Sequence, residues 1–244
     1  ISGPEAAAFL DKLSSNKLPI KDGRMVLTLF HGPNGGIMTE QSITRINEQL
    51  FYLIGPIASE NRDLHWMQQH SSDFNVKIDN CTDHLGGVLL TGPNSRAILQ
   101  QLTNSDLSAK AFPWLSCQNV KIDSAQVRML RVSYAGELGF ELHMPGYQLV
   151  SLYQSLQRAG VGHGLRDFGG YAFNSLRMEK AYRAWGSEFT EEISGVEAGM
   201  DRFIDTDRDF IGAGSVKQRQ AEGGEIQLAY LAFDDDIAGE CYGN

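Results

Sequence analysis

Residues 1–19, ISGPEAAAFLDKLSSNKLP, align without gaps on residues 90–108, LTGPNSRAILQQLTNSDLS, and this internal repeat restricts the possible folds more than any other feature of the chain. Identities fall at Gly3/Gly92, Pro4/Pro93, Ala8/Ala97, Leu10/Leu99, Leu13/Leu102 and Leu18/Leu107. In each copy Gly-Pro leads into apolar residues at helical spacing: Phe9, Leu10 and Leu13, then Ile98, Leu99 and Leu102. Proline suits a first helical turn because the amide hydrogen it lacks would have no partner there. A hairpin-like segment follows each copy, 25–46 turning at Asn34-Gly35-Gly36 and 127–144 turning around Ala135 to Gly139. Helix candidates come next, at 59–70 and 147–160. Strand, helix, hairpin and helix thus occur twice in that order, which predicts an α+β fold of duplicated strand-helix-hairpin-helix subdomains with antiparallel sheets. A third helix is predicted from Tyr171 to Trp185. Tyr171, Ser175, Met178, Tyr182 and Trp185 form one stripe of it, and Glu179 and Arg183 are spaced as an exposed ion pair.

Composition excludes several classes of chemistry. A net charge of -9 argues against nucleic acid as the main partner, because neutralising phosphates needs clustered Lys and Arg. No apolar run is long enough for a membrane span. Cys81, Cys117 and Cys241 are odd in number and far apart, without C-x-x-C, so neither a disulfide framework nor a metal site is expected, and a reducing compartment fits best. No P-loop, G-x-S-x-G, H-E-x-x-H or strand-linked G-x-G-x-x-G occurs, so no flavin or nicotinamide site is expected within these residues. The chain opens on Ile-Ser-Gly-Pro and stops just after a strand-like run, and is expected to be a piece of a longer polypeptide.

The segment Tyr134 to Leu142 is the most informative for chemistry. Phe140, Leu142 and Met144 alternate with Glu141 and His143, so a strand that buries the apolar set turns Glu141 to the opposite face. That face is either solvent or a binding surface. RVSYAGELGFELHMP, GLRDFGGYAFNSLRMEKAYRAWGSEF and EISGVEAGMDRFI resemble signature blocks of the aminomethyltransferase (glycine-cleavage T-protein) superfamily, which read approximately R-x-x-Y-x-G-E-x-G-[FW]-E-[LI] and R-D-x-x-R-x-E. The wording NSLRMEKAYRAWG, FPWL and DFIG is more similar to the dimethylglycine and sarcosine dehydrogenase branch of that superfamily.

The resemblance implies a folate-binding domain over 1–220 and, over 221–244, the first strand of a truncated C-terminal barrel. It implies tetrahydrofolate in a central channel, and a preceding FAD domain, absent here, that oxidises an N-methyl amine so that the one-carbon unit is captured as 5,10-methylenetetrahydrofolate. Partners are then the folate and the missing FAD domain and barrel, with no nucleic acid and no membrane, in a bacterial cytoplasm or a mitochondrial matrix. Glu141 matches the carboxylate that pairs with the pterin's N–H edge, Tyr134 an aromatic lining the pterin pocket, and Arg166 an arginine close to the folate. Tyr182 is a further binding candidate whose stripe also serves as core, and Glu137 reads as a turn residue. Glu40, in Thr39-Glu40 after Gly35-Gly36-Ile37-Met38, stands where the T-protein has an Asp. It reads either as the catalytic carboxylate with one added methylene or as a solvated strand residue. Three other functions use the same fold: the T-protein reaction on an aminomethyl-lipoyl carrier, a non-catalytic folate-binding regulator, and demethylation of a sulfonium or aryl methyl ether.

Overall fold

The chain's computed structural model describes residues 1–224 and 226–231. Gly3 passes so close to the carbonyl of Asn75 that a β-carbon would lie 2.3 Å from its oxygen, and its φ of +135° independently requires glycine. From this turn the chain enters α1 (Ala6–Leu13), which buries Ala6, Phe9, Leu10 and Leu13. Three antiparallel strands follow, β1 (Met25–His31), β2 (Ile37–Asn47) and β3 (Leu50–Ile54), in the order β1-β2-β3, and then α2 (Glu60–Gln69). Phe30, Ile43 and Phe51 on one face of this sheet pack with α1 and Met67 of α2 into the first core. The predicted turn at 34–36 joins β1 to β2, with Gly35 at φ +81°. Gly36 lies so close under the carbonyl of Glu191 that no side chain fits.

The second half begins with β4 (Leu85–Thr91) and α3 (Ser95–Gln100), again through a positive-φ glycine, Gly92 at +114°. β5 (Cys117–Ile122), β6 (Ala125–Leu130) and β7 (Gly139–Pro145) complete an antiparallel sheet of order β4-β7-β6-β5, and α4 (Leu149–Gly160) covers it. Phe140, Leu142 and Met144 face the second core with Ile98, Leu99, Leu152 and Leu156. Each hairpin expected from sequence is therefore two strands of a three-strand meander. The second one pairs β6 with β7 through the long connection 131–138 rather than a tight turn.

The two sheets meet in a seam. Met25, Cys117 and Leu130 are buried there against Ile46, Ile54, Leu115 and Val132. Backbone bonds tie the two together, from Met25 N–H to the Leu115 carbonyl (3.0 Å) and from Cys117 N–H to the Gly23 carbonyl (2.7 Å). A third apolar group, Leu29, Ile37, Phe189, Ala198 and Met200, closes the side of the first sheet away from α1. Cys81 and Cys117 are free thiols. Among the described residues no helix is long and apolar enough to cross a membrane, and no cluster of potential metal ligands occurs.

The third helix is shorter than its periodicity predicts. α5 spans Gly170–Glu179 and ends in a left-handed Ala181 at φ +57°. Tyr182 N–H reaches back to the Arg177 carbonyl (3.0 Å) and Ala181 N–H to the Met178 carbonyl (2.9 Å), the paired bonds of a Schellman C-cap. The expected Glu179–Arg183 pair does not form. Arg183 lies beyond the helix and donates to the carbonyls of Ala198 and Ala181, each at 2.9 Å. α6 (Ala213–Glu222) follows. Most of the predicted barrel strand, from 232 onward with Glu225, lies outside the described residues.

Candidate functional site

Register assigns the polar residues of the seam to facing surfaces. Glu40 pairs with Leu29, and Tyr52 with Thr44 and so with Met25, which places Glu40 and Tyr52 on the face of the first sheet away from α1. In the second sheet Glu141 pairs with Leu130 and His143 with Arg128, on the face opposite the second core. The two faces look at each other, and the Tyr52 hydroxyl lies 2.9 Å from His143 Nδ1 across the seam. A cleft of about 560 Å³ opens beside this contact, with Ile54, Arg128 and His143 in its lining.

The connection 131–138 carries Tyr134 out of the sheet toward α5. Its ring stacks on Tyr182 at 5.8 Å with 19° between planes, and tilts against Phe173 at 5.7 Å. Tyr182 reaches this position because the Ala181 cap reverses the chain. The Tyr134 hydroxyl donates to the Arg183 carbonyl. Burial raises the Tyr134 phenol, and the nearby Glu40 charge raises it further, so it stays protonated.

Glu40 belongs to the same cluster. Burial pushes its carboxyl up to about 7, with Arg177 acting to lower it and Glu188 to raise it. Arg177, only 5% exposed, holds Glu188 at 2.7 Å and donates to Asn174 and to the Tyr182 carbonyl, each at 2.9 Å. A buried carboxyl that titrates near neutrality beside an aromatic cluster is suited to accept and return protons.

Of the expected site residues, Glu40, Tyr134 and Tyr182 come together. Glu141 lies on the facing sheet, its side chain 27% exposed, with His143 Nε2 at 3.5 Å. Among the described residues no hydrogen bond ends on its carboxylate, which leaves its oxygens available to a ligand. Arg166 sits apart in the exposed turn before α5, lining a cleft of about 710 Å³ along the open edge of β4, and has no ion-pair partner among the described residues. Sequence reasoning passed over Arg177, Glu188, Phe173, His143 and Tyr52. One signal was present: in R-D-x-x-R-x-E the first Arg stands four residues before the second, and four before Arg177 is Phe173, whereas Arg166 stands eleven before.

The chain matches a known family over most of its length. Residues 1–208 match the GCVT N-terminal domain. The chain is 36% identical over 240 residues to mitochondrial dimethylglycine dehydrogenase of Homo sapiens, covering 97% of this chain and 28% of that protein. It is 33% identical over 225 residues to the aminomethyltransferase of Thermoanaerobacter sp. (strain X514), covering 91% of this chain and 61% of that one. The solved glycine cleavage system aminomethyltransferase T from Bartonella henselae shares the fold at TM-score 0.78 and 20% identity, over 91% of this chain and 60% of its own. The chain thus spans under a third of the length of the dehydrogenase and under two thirds of that of the transferases. With more than half of its residues matched, it belongs to the GCVT N-terminal domain family.

Proposed function

We propose that this chain is the tetrahydrofolate-binding part of an enzyme that oxidises an N-methyl amine, and that it passes the released one-carbon unit to reduced folate. The observation that carries the proposal is the stacked Tyr134–Tyr182 pair beside a Glu40 carboxyl that titrates near neutrality. Reduced folate, when bound, supplies the nucleophilic nitrogens that take up the unit. Tyr134 and Tyr182 offer ring faces to the pterin, and Glu141 accepts hydrogen bonds from its N–H edge. Glu40 accepts or returns the proton that the transfer displaces. Arg166 would meet a negatively charged part of the folate away from the aromatic pair.

Glu141→Gln is expected to weaken reduced-folate binding by about 1.5 to 3 kcal/mol, the range for losing hydrogen bonds to a charged group, while the circular dichroism spectrum is retained. Calorimetry that finds the same affinity in a folded variant would sink the assignment. A second function, aminomethyl transfer from a lipoyl carrier protein, draws support from the 33% identity to an aminomethyltransferase. The 36% identity spread over 97% of the chain supports the amine-oxidising enzyme. Assaying the complete polypeptide for amine-dependent dye reduction and for turnover of an aminomethyl-lipoyl carrier separates the two.

We also infer that the two halves are copies of one unit. In support, both Gly-Pro turns use positive-φ glycines and lead into a helix and a three-strand meander. Ser2 bridges β3 as β4 pairs β7, so both sheets run in the same order. The folate-binding domain then covers 1–220, with the barrel beginning after it and an FAD domain preceding it in the complete protein. For the complete protein we propose a mitochondrial matrix or bacterial cytoplasm, supported by one relative that is mitochondrial and another from a bacterium.

A further inference from the structure

Glu141 is a short side chain on a strand, and a carboxylate that must meet two parallel donors needs its plane fixed. Its neighbour two residues along the same face is His143, whose Nε2 lies 3.5 Å from Glu141 Oε2. That spacing is within ion-pair range and slightly long for a hydrogen bond, as is common before a ligand tightens a site. The other ring nitrogen, Nδ1, lies 2.9 Å from the Tyr52 hydroxyl, which comes from the opposite sheet. An ionised carboxylate only accepts hydrogen bonds, so Nε2 must carry the hydrogen that faces Glu141. In the neutral imidazole Nδ1 is then bare and accepts from Tyr52.

Tyr52 is held as a donor. Burial pushes its phenol up to about 12, so the hydroxyl keeps its proton. Its ring lies against the Arg128 guanidinium at 4.5 Å and edge-on to the His143 ring at 5.9 Å, which restricts rotation of both. Three strands of two sheets therefore converge on one imidazole: β3 gives Tyr52, β6 gives Arg128, and β7 gives His143 and Glu141.

We propose that Tyr52 and His143 are positioning residues for the folate site: Tyr52 fixes the tautomer and tilt of His143, which presents Nε2–H to Glu141 and orients its carboxylate toward the pterin edge. This rests on the assignment of Glu141 as the pterin ligand. The folate subsite on the second sheet is then completed by a hydroxyl from the first, and affinity depends on the seam being closed.

The test is a double-mutant cycle on the full chain, with tetrahydrofolate affinity and thermal midpoint as readouts. Tyr52→Phe keeps the ring and removes the hydroxyl, and is expected to raise Kd about three- to tenfold. His143→Leu is expected to raise it about tenfold or more, and His143→Gln, whose amide still donates, to recover most of that loss. In a Glu141→Gln background each substitution should change Kd less than about twofold, because the carboxylate they orient is gone. A merely structural role would lower the thermal midpoint and weaken binding equally in both backgrounds, which overturns the proposal. If His143→Leu fails to fold, Tyr52→Phe alone decides. A Glu141→Gln variant with unchanged affinity overturns both the assignment and the relay. A Glu141→Gln loss with no effect of Tyr52→Phe or His143→Leu overturns the relay alone.

Discussion

Glu40 faces Leu29 across β2 and β1, where burial outweighs the Arg177 guanidinium in setting its proton affinity. In the unfolded chain the group titrates near its ordinary 4.5, and in the folded protein near 7. Below pH 4.5 both states hold the proton. Between 4.5 and 7 the folded state keeps a proton that the unfolded state has released, so stability falls as pH rises through that window and levels off above it. Glu40→Gln removes this dependence. The variant is expected to match the parent near pH 4 and to exceed its stability by about 3 kcal/mol at pH 8, measured by urea unfolding. A difference of the same size at both pH values would show that ionisation of Glu40 is not its source. That Glu141 turns away from the second core was legible in the alternation of residues 140–144, because a strand's side-chain period is fixed. The direction of Glu40 was not, because only the register with β1 reveals which face it takes. Arg166 is singled out by the family resemblance alone, while the residue that meets Tyr134 is Phe173.

The helices over 59–70 and 147–160 emerge as α2 and α4 with boundaries shifted by a residue or two, since their apolar spacing is local information. β3 was hidden because Glu48-Gln49, which joins it to β2, contains none of the Asn-Gly chemistry that marks a hairpin. β5 was hidden because CQNVKI alternates over only six residues and carries two polar residues, Gln118 and Asn119, side by side near its start. The end of α5 was hidden for a sharper reason. Its C-cap uses Ala181 where glycine would be the signal, so the apolar period runs on through Tyr182 and Trp185 without interruption. Alanine in a left-handed conformation costs about 1 to 2 kcal/mol. Ala181→Gly is expected to relieve part of this and stabilise the protein by about 1 kcal/mol, seen as a rise in thermal midpoint with folate affinity unchanged. A fall in the midpoint would mean that the strain is absent or already offset by contacts of the methyl group.

The two sheets each own a core, and they share the seam that brings Tyr52 to His143. Folate held between those faces would bridge them, so ligand affinity and seam closure are linked quantities. One residue makes this linkage measurable. Cys117 sits in the seam, 7% exposed, its thiol pushed up to about 11 by burial. Alkylation needs both a thiolate and access, and Cys117 gains them only when the sheets part. The rate at which an alkylating reagent modifies it, read peptide by peptide in a mass spectrometer, therefore counts openings of the seam. Saturating tetrahydrofolate is expected to slow that rate about tenfold or more. An unchanged rate would place the ligand away from the seam. The buried thiol is in effect a stopwatch set between two plates, and it needs no label engineered into the protein.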